Sequence, residues 1–385
     1  EILRPEAKAV MKGLILVGGL GTQLRPLTLS KPKPLIDFGN KPQLLHLVDM
    51  MKRAGVTEVV LAIHYRPEIM DDFLETYADY GVKIVLSVET TPLGTAGPIG
   101  LAREHLNDGE PFFVMNCDVA CDINLRSLLD FHKSHGKVGT IMTTDVDEPA
   151  KYGKSVVVAH ETGLIEKFVE HGKIFAGTRI NCGCYIFSPS IFDRISGNKP
   201  TSMEKEVLPD LAAEGQLYCM RLDGYWMNIK KPPDFLEGNF LYLEYLATSQ
   251  ANALSTGNGL QGNVLMHESA QVGKGCMIGP DVTIGKGCVI EDGVRLARCI
   301  LLEGCTIRSH AVVLDSIVGW RATVRPFPPP FDLFPRSSKS WFHLHRLVNG
   351  HVSRASLCWA RMCTWDPRSS SMVPSYFHTR RYNPK

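Results

Sequence analysis

An apolar run, Leu14-Ile-Leu-Val17, leads into Gly18, Gly19 and Gly21, and Arg25, Lys31 and Lys33 follow closely. Glycine lacks Cβ, so such a turn takes up positive φ and brings its N–H groups close to an anion. Arg25, Lys31 and Lys33 stand within reach of the same anion, and Lys33 is held between Pro32 and Pro34. The combination predicts a polyphosphate cradle. Gly-Gly-x-Gly alone would read as a tight turn with incidental basic residues; the proline-bounded lysine turns the reading to phosphate. The loop is not a Walker A loop, because no Lys-Ser/Thr follows the glycines, and Leu24 breaks the dinucleotide pattern Gly-x-Gly-x-x-Gly.

A second candidate is Asp118, which follows the apolar stretch Pro111–Met115. An unpaired carboxylate is costly to bury at a strand end, so Asp118 reads either as a metal ligand or as a cap or turn residue. Asp122 reads as a cap or turn. Such a set suits nucleotide and phosphate chemistry, in which alignment and positive charge offset the repulsion between anions.

The stretch from about Met11 to Val324 resembles the sugar-nucleotide pyrophosphorylases, whose signature is roughly Gly-Gly-x-Gly-Thr-Arg-Leu-x-Pro-Leu-Thr-x-x-x-Pro-Lys-Pro. Within them it is most similar to the beta-type mannose-1-phosphate guanylyltransferases. The likeness also rests on Pro92-Leu-Gly-Thr-Ala-Gly97, Asn116-Cys-Asp-Val119, Lys151-Tyr-Gly153, Pro200-Thr-Ser202, Glu204-Lys-Glu206 and Ile317-Val-Gly-Trp-Arg321. The resemblance implies that GTP and mannose 1-phosphate give GDP-mannose and pyrophosphate, with Mg2+ held at Asp118. Arg25 and Lys33 would neutralise the triphosphate. Leu16, Gly18 and Gly19 would meet base and ribose, with Gly21 and Thr22 completing the loop. Gly94 and Thr95 would contact the purine through backbone and hydroxyl. Gly153, Glu170 and Asn181 would hold the sugar. On spacing alone, Thr95 also reads as a helix cap, and the three sugar positions as ordinary polar surface.

Three positions depart from the family pattern: Gln23 in place of Arg, His171 in place of Lys, and Asn228 in place of a second metal-binding Asp. They remove a bidentate phosphate grip, a full positive charge and a hard anionic ligand. Lys230 and Lys231 add positive charge nearby. The departures keep a rival in view, a catalytically silent homologue that binds nucleotide sugar and regulates an active partner. A decayed gene copy is a third reading. By resemblance the chain is expected to form a homo-oligomer, or a hetero-oligomer with an alpha-type regulatory homologue.

The elements that position these residues alternate. Strands are expected at Gly13–Val17, Glu58–Ile63, Lys83–Val88 and Pro111–Met115. Helices are expected at Gln43–Arg53, Pro67–Tyr80, 95–106 and Leu125–His135. Short apolar strands separated by helices indicate an α/β domain with a mostly parallel sheet, whose ligands bind beyond the strands' carboxyl ends. Farther on, Val272, Ile278, Ile284, Ile290, Leu296 and Leu302 recur every six residues. That period fits neither helix nor strand; it fits a parallel β-helix with one inward aliphatic side chain per face. The expected fold is a Rossmann-like nucleotidyltransferase domain with a mixed, mostly parallel sheet, followed by a left-handed β-helix of hexapeptide repeats. The expected divisions are an extension 1–10, the nucleotidyltransferase domain 11–245, a linker 246–262, a truncated β-helix 263–324 and a divergent tail 325–385.

At 385 residues, 44% of them hydrophobic, the chain is expected to hold two domains with real cores. A net charge of +2 gives no general argument for nucleic acid or membrane. No apolar run approaches a membrane span, and residues 1–10 have no secretory core. The eleven cysteines lack zinc spacing and read as buried free thiols in a cytosolic protein. The tail 325–385 carries ten Lys or Arg against two Asp, and is rich in Pro and Phe at its start. Its loss of pattern predicts a changed reading frame or retained intron, set against a basic tail that contacts RNA or an acidic partner.

Overall fold

The computed structural model describes residues 11–326, except 20, 65, 66, 153, 160, 161 and 171–177. The expectations for 1–10 and for the tail from 327 onward lie outside the described residues.

In chain order the α/β elements are β1 (Lys12–Leu16), α1 (Gln43–Ala54), β2 (Glu58–Ile63), α2 (Asp71–Thr76), β3 (Lys83–Val88), α3 (Gly97–Leu101), α4 (Arg103–Leu106), β4 (Phe112–Asn116), β5 (Val119–Cys121), α5 (Leu125–His135), β6 (Gly139–Asp145), β7 (Arg179–Phe187), α6 (Leu208–Ala213), β8 (Leu217–Arg221), β9 (Trp226–Asn228) and α7 (Pro232–Ser249). A seven-stranded sheet runs β8-β6-β7-β4-β1-β2-β3. All neighbours are parallel except β7, which is antiparallel to both β4 and β6. The sheet is therefore mixed and mostly parallel, as expected.

Both faces are covered, and the strands are apolar at consecutive positions for that reason. Ile15, Val59, Leu61 and Ile63 pack in one core with residues of α1, α2 and α5. Leu14, Val60 and Ala62 point the other way, into a core with residues of α3, α4 and α6. Two expected helices are shorter. The segment from Pro67 begins as a single 3-10 turn and is α-helical only over Asp71–Thr76; the rings of Phe73 and Tyr77 then meet at a tilt, and those of Tyr77 and Tyr80 edge to face, as the chain turns. The stretch 95–106 splits into α3 and α4 at Ala102, in keeping with the weak helix propensity of Gly97, Pro98 and Gly100.

Helix α7 continues to Ser249, so the first residues expected as linker are helical. Beyond it, short parallel strands stack in three ladders. Val264 pairs with Val282, eighteen positions on, and Val282 with Cys299, seventeen on. Gln271–Val272, Val289–Ile290, Thr306–Ile307 and Thr323–Val324 form a second ladder. Met277–Ile278 pairs with Arg295–Leu296, which pairs with Val312–Val313. Ile278, Ile284, Ile290 and Leu296 are buried inside, as the six-residue period requires. Val272 is instead 39% exposed. The shorter step also moves the register by one: Leu301 pairs with Ile284 and points inward, so Leu302 turns toward the α/β domain. There Leu24, Leu27, Ile36, Phe38 and Phe235 share a buried cluster with Ile300 and Leu302. A buried Thr283 hydroxyl donates to Asn239 Oδ1 at 3.0 Å across the same junction.

Candidate functional site

The glycine turn leaves β1 at the carboxyl end of the sheet. Gly19 and Gly21 have φ of 100° and 57°, values that favour glycine. Three 3-10 turns follow, at Thr22–Leu24, Leu27–Leu29 and Lys33–Leu35. Leu24 and Leu27 are buried and anchor the segment, which leaves Thr22, Gln23 and Arg25 exposed. Thr28 closes the loop, its hydroxyl donating to Gly21 O at 2.8 Å. No ion pair or hydrogen bond of the Arg25 side chain is found among the described residues.

Lys33 reaches Asp118: Nζ lies 3.4 Å from Oδ2, with side chains only 13% and 26% exposed. Lys31 does not join the cradle. It turns to the other side of its proline, 3.3 Å from Asp37 and 4.0 Å from Glu303, with its ammonium 5.5 Å from the Trp320 ring. Pro32 is extended, at φ −60° and ψ 148°, and Lys33 opens a 3-10 turn, so the two lysines diverge and only Lys33 meets Asp118.

Asp118 occupies the turn between β4 and β5, and its carbonyl accepts from Ile229 N at 2.8 Å. Strand β9 runs antiparallel to β5 and sets Asn228 opposite Val119. Asn228 Oδ1 is buried and has no hydrogen-bond partner among the described residues. Asp122 is not a cap: it pairs with Arg53 at 2.6 Å, and Asn124 caps α5 by accepting from Ser127 N. Among the described residues no cluster of three or more His, Cys, Asp or Glu could hold a metal unaided. The nine described cysteines are buried and free. Burial pushes the Cys117 thiol, beside Asp118, up to about 12, so it is no nucleophile at neutral pH.

A cavity of 370 Å³ opens between the two loops. Leu16, Gly18, Gly19, Gly94, Thr95 and Asp118 all line it. Gly94, at φ 76°, lies against the Thr201 carbonyl, where a Cβ would come within 2.5 Å of the oxygen. The Thr95 hydroxyl is engaged elsewhere: it donates to Glu204 Oε2 at 2.7 Å and accepts from Met203 N at 2.8 Å. Contact with a purine through that hydroxyl would have to displace these bonds. Sequence reasoning missed Glu89, which lines the cavity, is 6% exposed and accepts from Leu93 N at 3.0 Å through Oε2. One signal was there to find it, since Glu89 is the first acidic residue after β3, as Asp118 is after β4.

Asn181 does not line the cavity. Its Oδ1 accepts from Gly183 N and its Nδ2 donates to Tyr185 Oη, both at 2.9 Å, where the β6–β7 register shifts. Gly153, His171 and the side chain of Glu170 lie outside the described residues.

Parallel strands that deliver a glycine turn and an acidic turn to one crevice are the layout of an α/β nucleotide-binding domain. Comparison with known proteins narrows the class. A family model described as nucleotidyl transferase matches residues 12–244, and one described as GMPPB C-terminal domain matches 260–327. The chain belongs to the nucleotidyl transferase family. It is 56% identical over 317 residues to a probable mannose-1-phosphate guanylyltransferase 3 of Oryza sativa, covering 82% of this chain and 87% of that protein. It is 56% identical over 263 residues to the mannose-1-phosphate guanylyltransferase catalytic subunit beta of Dictyostelium discoideum, covering 68% and 73%. Among solved structures, HddC from Yersinia pseudotuberculosis complexed with GMP-PN aligns with a TM-score of 0.51 at 27% identity, over 60% of this chain and 98% of that one.

Proposed function

We propose that this chain transfers a guanylyl group from GTP to mannose 1-phosphate, forming GDP-mannose and releasing pyrophosphate. The observation that carries the reading is the Lys33–Asp118 contact at a cavity lined by both glycine-bearing loops. The names of the relatives supply the substrates, and the guanine-nucleotide complex of HddC agrees with them.

In this reading the N–H groups of residues 18–22, with Arg25 and Lys33, offset the charge of the triphosphate, so that two anions can approach. Glu89 accepts the N1–H and 2-amino hydrogens of guanine. Leu16 and the Gly94 backbone flank the base and ribose. Gly153, Glu170 and Asn181 remain the proposed sugar positions, with Asn181 acting through its turn at Gly183. The oxygen-only donor set of Asp118 and the unpartnered Asn228 Oδ1 fits a hard divalent cation that completes its shell with phosphate oxygens. Mg2+ held there supplies charge neutralisation at the transferring phosphate. Gln23, His171 and Asn228 weaken turnover without changing the reaction.

The stacked ladders are read as a left-handed β-helix that serves homo-oligomer assembly or pairing with an alpha-type homologue; Met277 and Val312, 54% and 60% exposed, stand on its outer face. The nine buried free thiols support a cytoplasmic setting. Among the described residues no helix is long and apolar enough to cross a membrane.

Pyrophosphate release from GTP and mannose 1-phosphate with Mg2+ tests the reading. The expected result is release that EDTA and Asp118→Ala abolish. A folded chain that releases no more than its Asp118→Ala variant refutes it, and retained GDP-mannose binding would then mark a regulator.

A further inference from the structure

We infer that Gln43 is a positioning residue for the Lys33–Asp118 pair, a role that rests on the guanylyl-transfer reading. Gln43 is the first residue of α1 and is only 3% exposed. Its backbone N–H donates to Ile36 O at 3.0 Å, just past the turn that carries Lys33. Its side-chain Nε2 donates to Val119 O at 2.8 Å, in the residue that follows Asp118. One residue is thus bonded to both segments that bring the two charged groups together.

The Asp118 carbonyl is held by Ile229 N, just past β9. Gln43 holds the next carbonyl from the α1 side. With both restrained, the Asp118 side chain has a fixed origin from which to meet Lys33. On the other side of the contact, Pro32 and Pro34 limit the backbone at Lys33. Neither restraint alone sets the separation; the glutamine links them. Oriented groups of this kind tolerate displacement poorly, and a shift near 1 Å costs on the order of 10²-fold in rate.

The polar cost of the side chain supports the same role. Gln43 Oε1 is buried and has no partner among the described residues. An apolar side chain of equal length would fill this space without a stranded oxygen. The amide is therefore unfavourable for packing alone, and the bond to Val119 is what it supplies in return.

The test compares the wild-type chain with Gln43→Met, which keeps the volume and removes the donor, and Gln43→Glu, which keeps the shape and sets an acceptor against an acceptor. Thermal melting, kcat, the KM values and the Mg2+ concentration for half activation are read for each. GTP affinity with and without Mn2+ is read by calorimetry, independently of turnover. The expected Gln43→Met variant melts no lower than wild type, yet loses about tenfold in kcat with little change in KM for mannose 1-phosphate. Its Mg2+ requirement rises several-fold and the Mn2+ enhancement of GTP binding shrinks. Gln43→Glu loses more kcat than Gln43→Met. Wild-type kcat, Mg2+ requirement and Mn2+ enhancement in Gln43→Met overturn the proposal. So does a kcat loss that only follows a loss of folded protein. If wild type binds GTP but releases no pyrophosphate, the guanylyl-transfer reading fails, and Gln43 is judged on the Mn2+ enhancement alone. A folded wild type that binds no GTP overturns both.

Discussion

Glu89→Gln isolates the proposed reading of guanine. The side chain is 6% exposed, and one of its oxygens is committed to Leu93 N at 3.0 Å. A glutamine can keep that bond with its carbonyl oxygen, so the loop 89–93 should hold its shape. Its NH2 then faces the cavity, where guanine presents N1–H and the 2-amino group, and donor meets donor. Hydrogen bonds to a charged group contribute about 1.5–3 kcal/mol each. With tenfold per 1.36 kcal/mol, loss of both bonds lowers kcat/KM for GTP by about 10²–10⁴. Inosine triphosphate lacks the 2-amino group and forfeits one bond already in wild type. Wild type should therefore prefer GTP over ITP by about 10–10²-fold, and the variant by only a few-fold. Pyrophosphate release measured in parallel with GTP, ITP and ATP gives these ratios on one folded preparation. ATP, which presents an acceptor where guanine has N1–H, should be rejected less by the variant. If Glu89→Gln folds and keeps the wild-type GTP/ITP ratio, Glu89 does not read the base, and the guanine specificity argued from this cavity is wrong.

Two further tests address charge. Gln23→Arg and Asn228→Asp should each raise kcat/KM, on the order of tenfold, and Asn228→Asp should also lower the Mg2+ needed for half activation; unchanged values in both would show that these positions do not limit turnover. His132 is 1% exposed, its Nδ1 is 2.8 Å from Thr140 Oγ1, and burial followed by the nearby His135 and Lys133 charges pulls its pKa from 6.5 down to about 4. The unfolded chain takes up that proton first. The neutral ring's contribution is thus intact above pH 6.5 and lost as the pH falls toward 4, in all about 3 kcal/mol. Urea unfolding of wild type and His132→Asn at pH 7 and pH 4.5 should show a smaller loss in the variant; equal losses would rule His132 out as the source.

The site was legible where its chemistry is written in neighbouring residues. Gly18, Gly19 and Gly21 follow β1, Asp118 follows β4 and Lys33 sits between two prolines, and each is a residue type with few other uses at that place. Lys31 was misplaced because charge was counted along the chain, whereas the bend from extended Pro32 into the 3-10 turn at Lys33 sends Lys31 to Asp37 and Lys33 to Asp118. Glu89 and Gln43 were missed for a different reason. Each acquires its role from a partner far away in sequence, a cavity wall in one case and the Val119 carbonyl in the other. The sheet followed from continuous apolar runs that serve two faces. The six-residue period located the stacked ladders but not the change from an eighteen- to a seventeen-residue step, which depends on how one layer sits on the next. That step alone decides whether Leu301 or Leu302 points inward.

The cluster that joins Leu24 and Leu27 to Ile300 and Leu302 has a consequence for biosynthesis. The lip that bears Gln23 and Arg25 is made well before Ile300, and part of its apolar underside has to wait for a partner near the far end of the described chain. At ~5–20 residues per second that interval is on the order of tens of seconds. During that time the central sheet can already consolidate around β1, β2 and β4, while Leu24 and Leu27 have only Ile36, Phe38 and later Phe235 of their own domain to pack against. A ribosome-bound nascent chain stopped before Ile300 would hold a formed sheet and a rim covered on one side only.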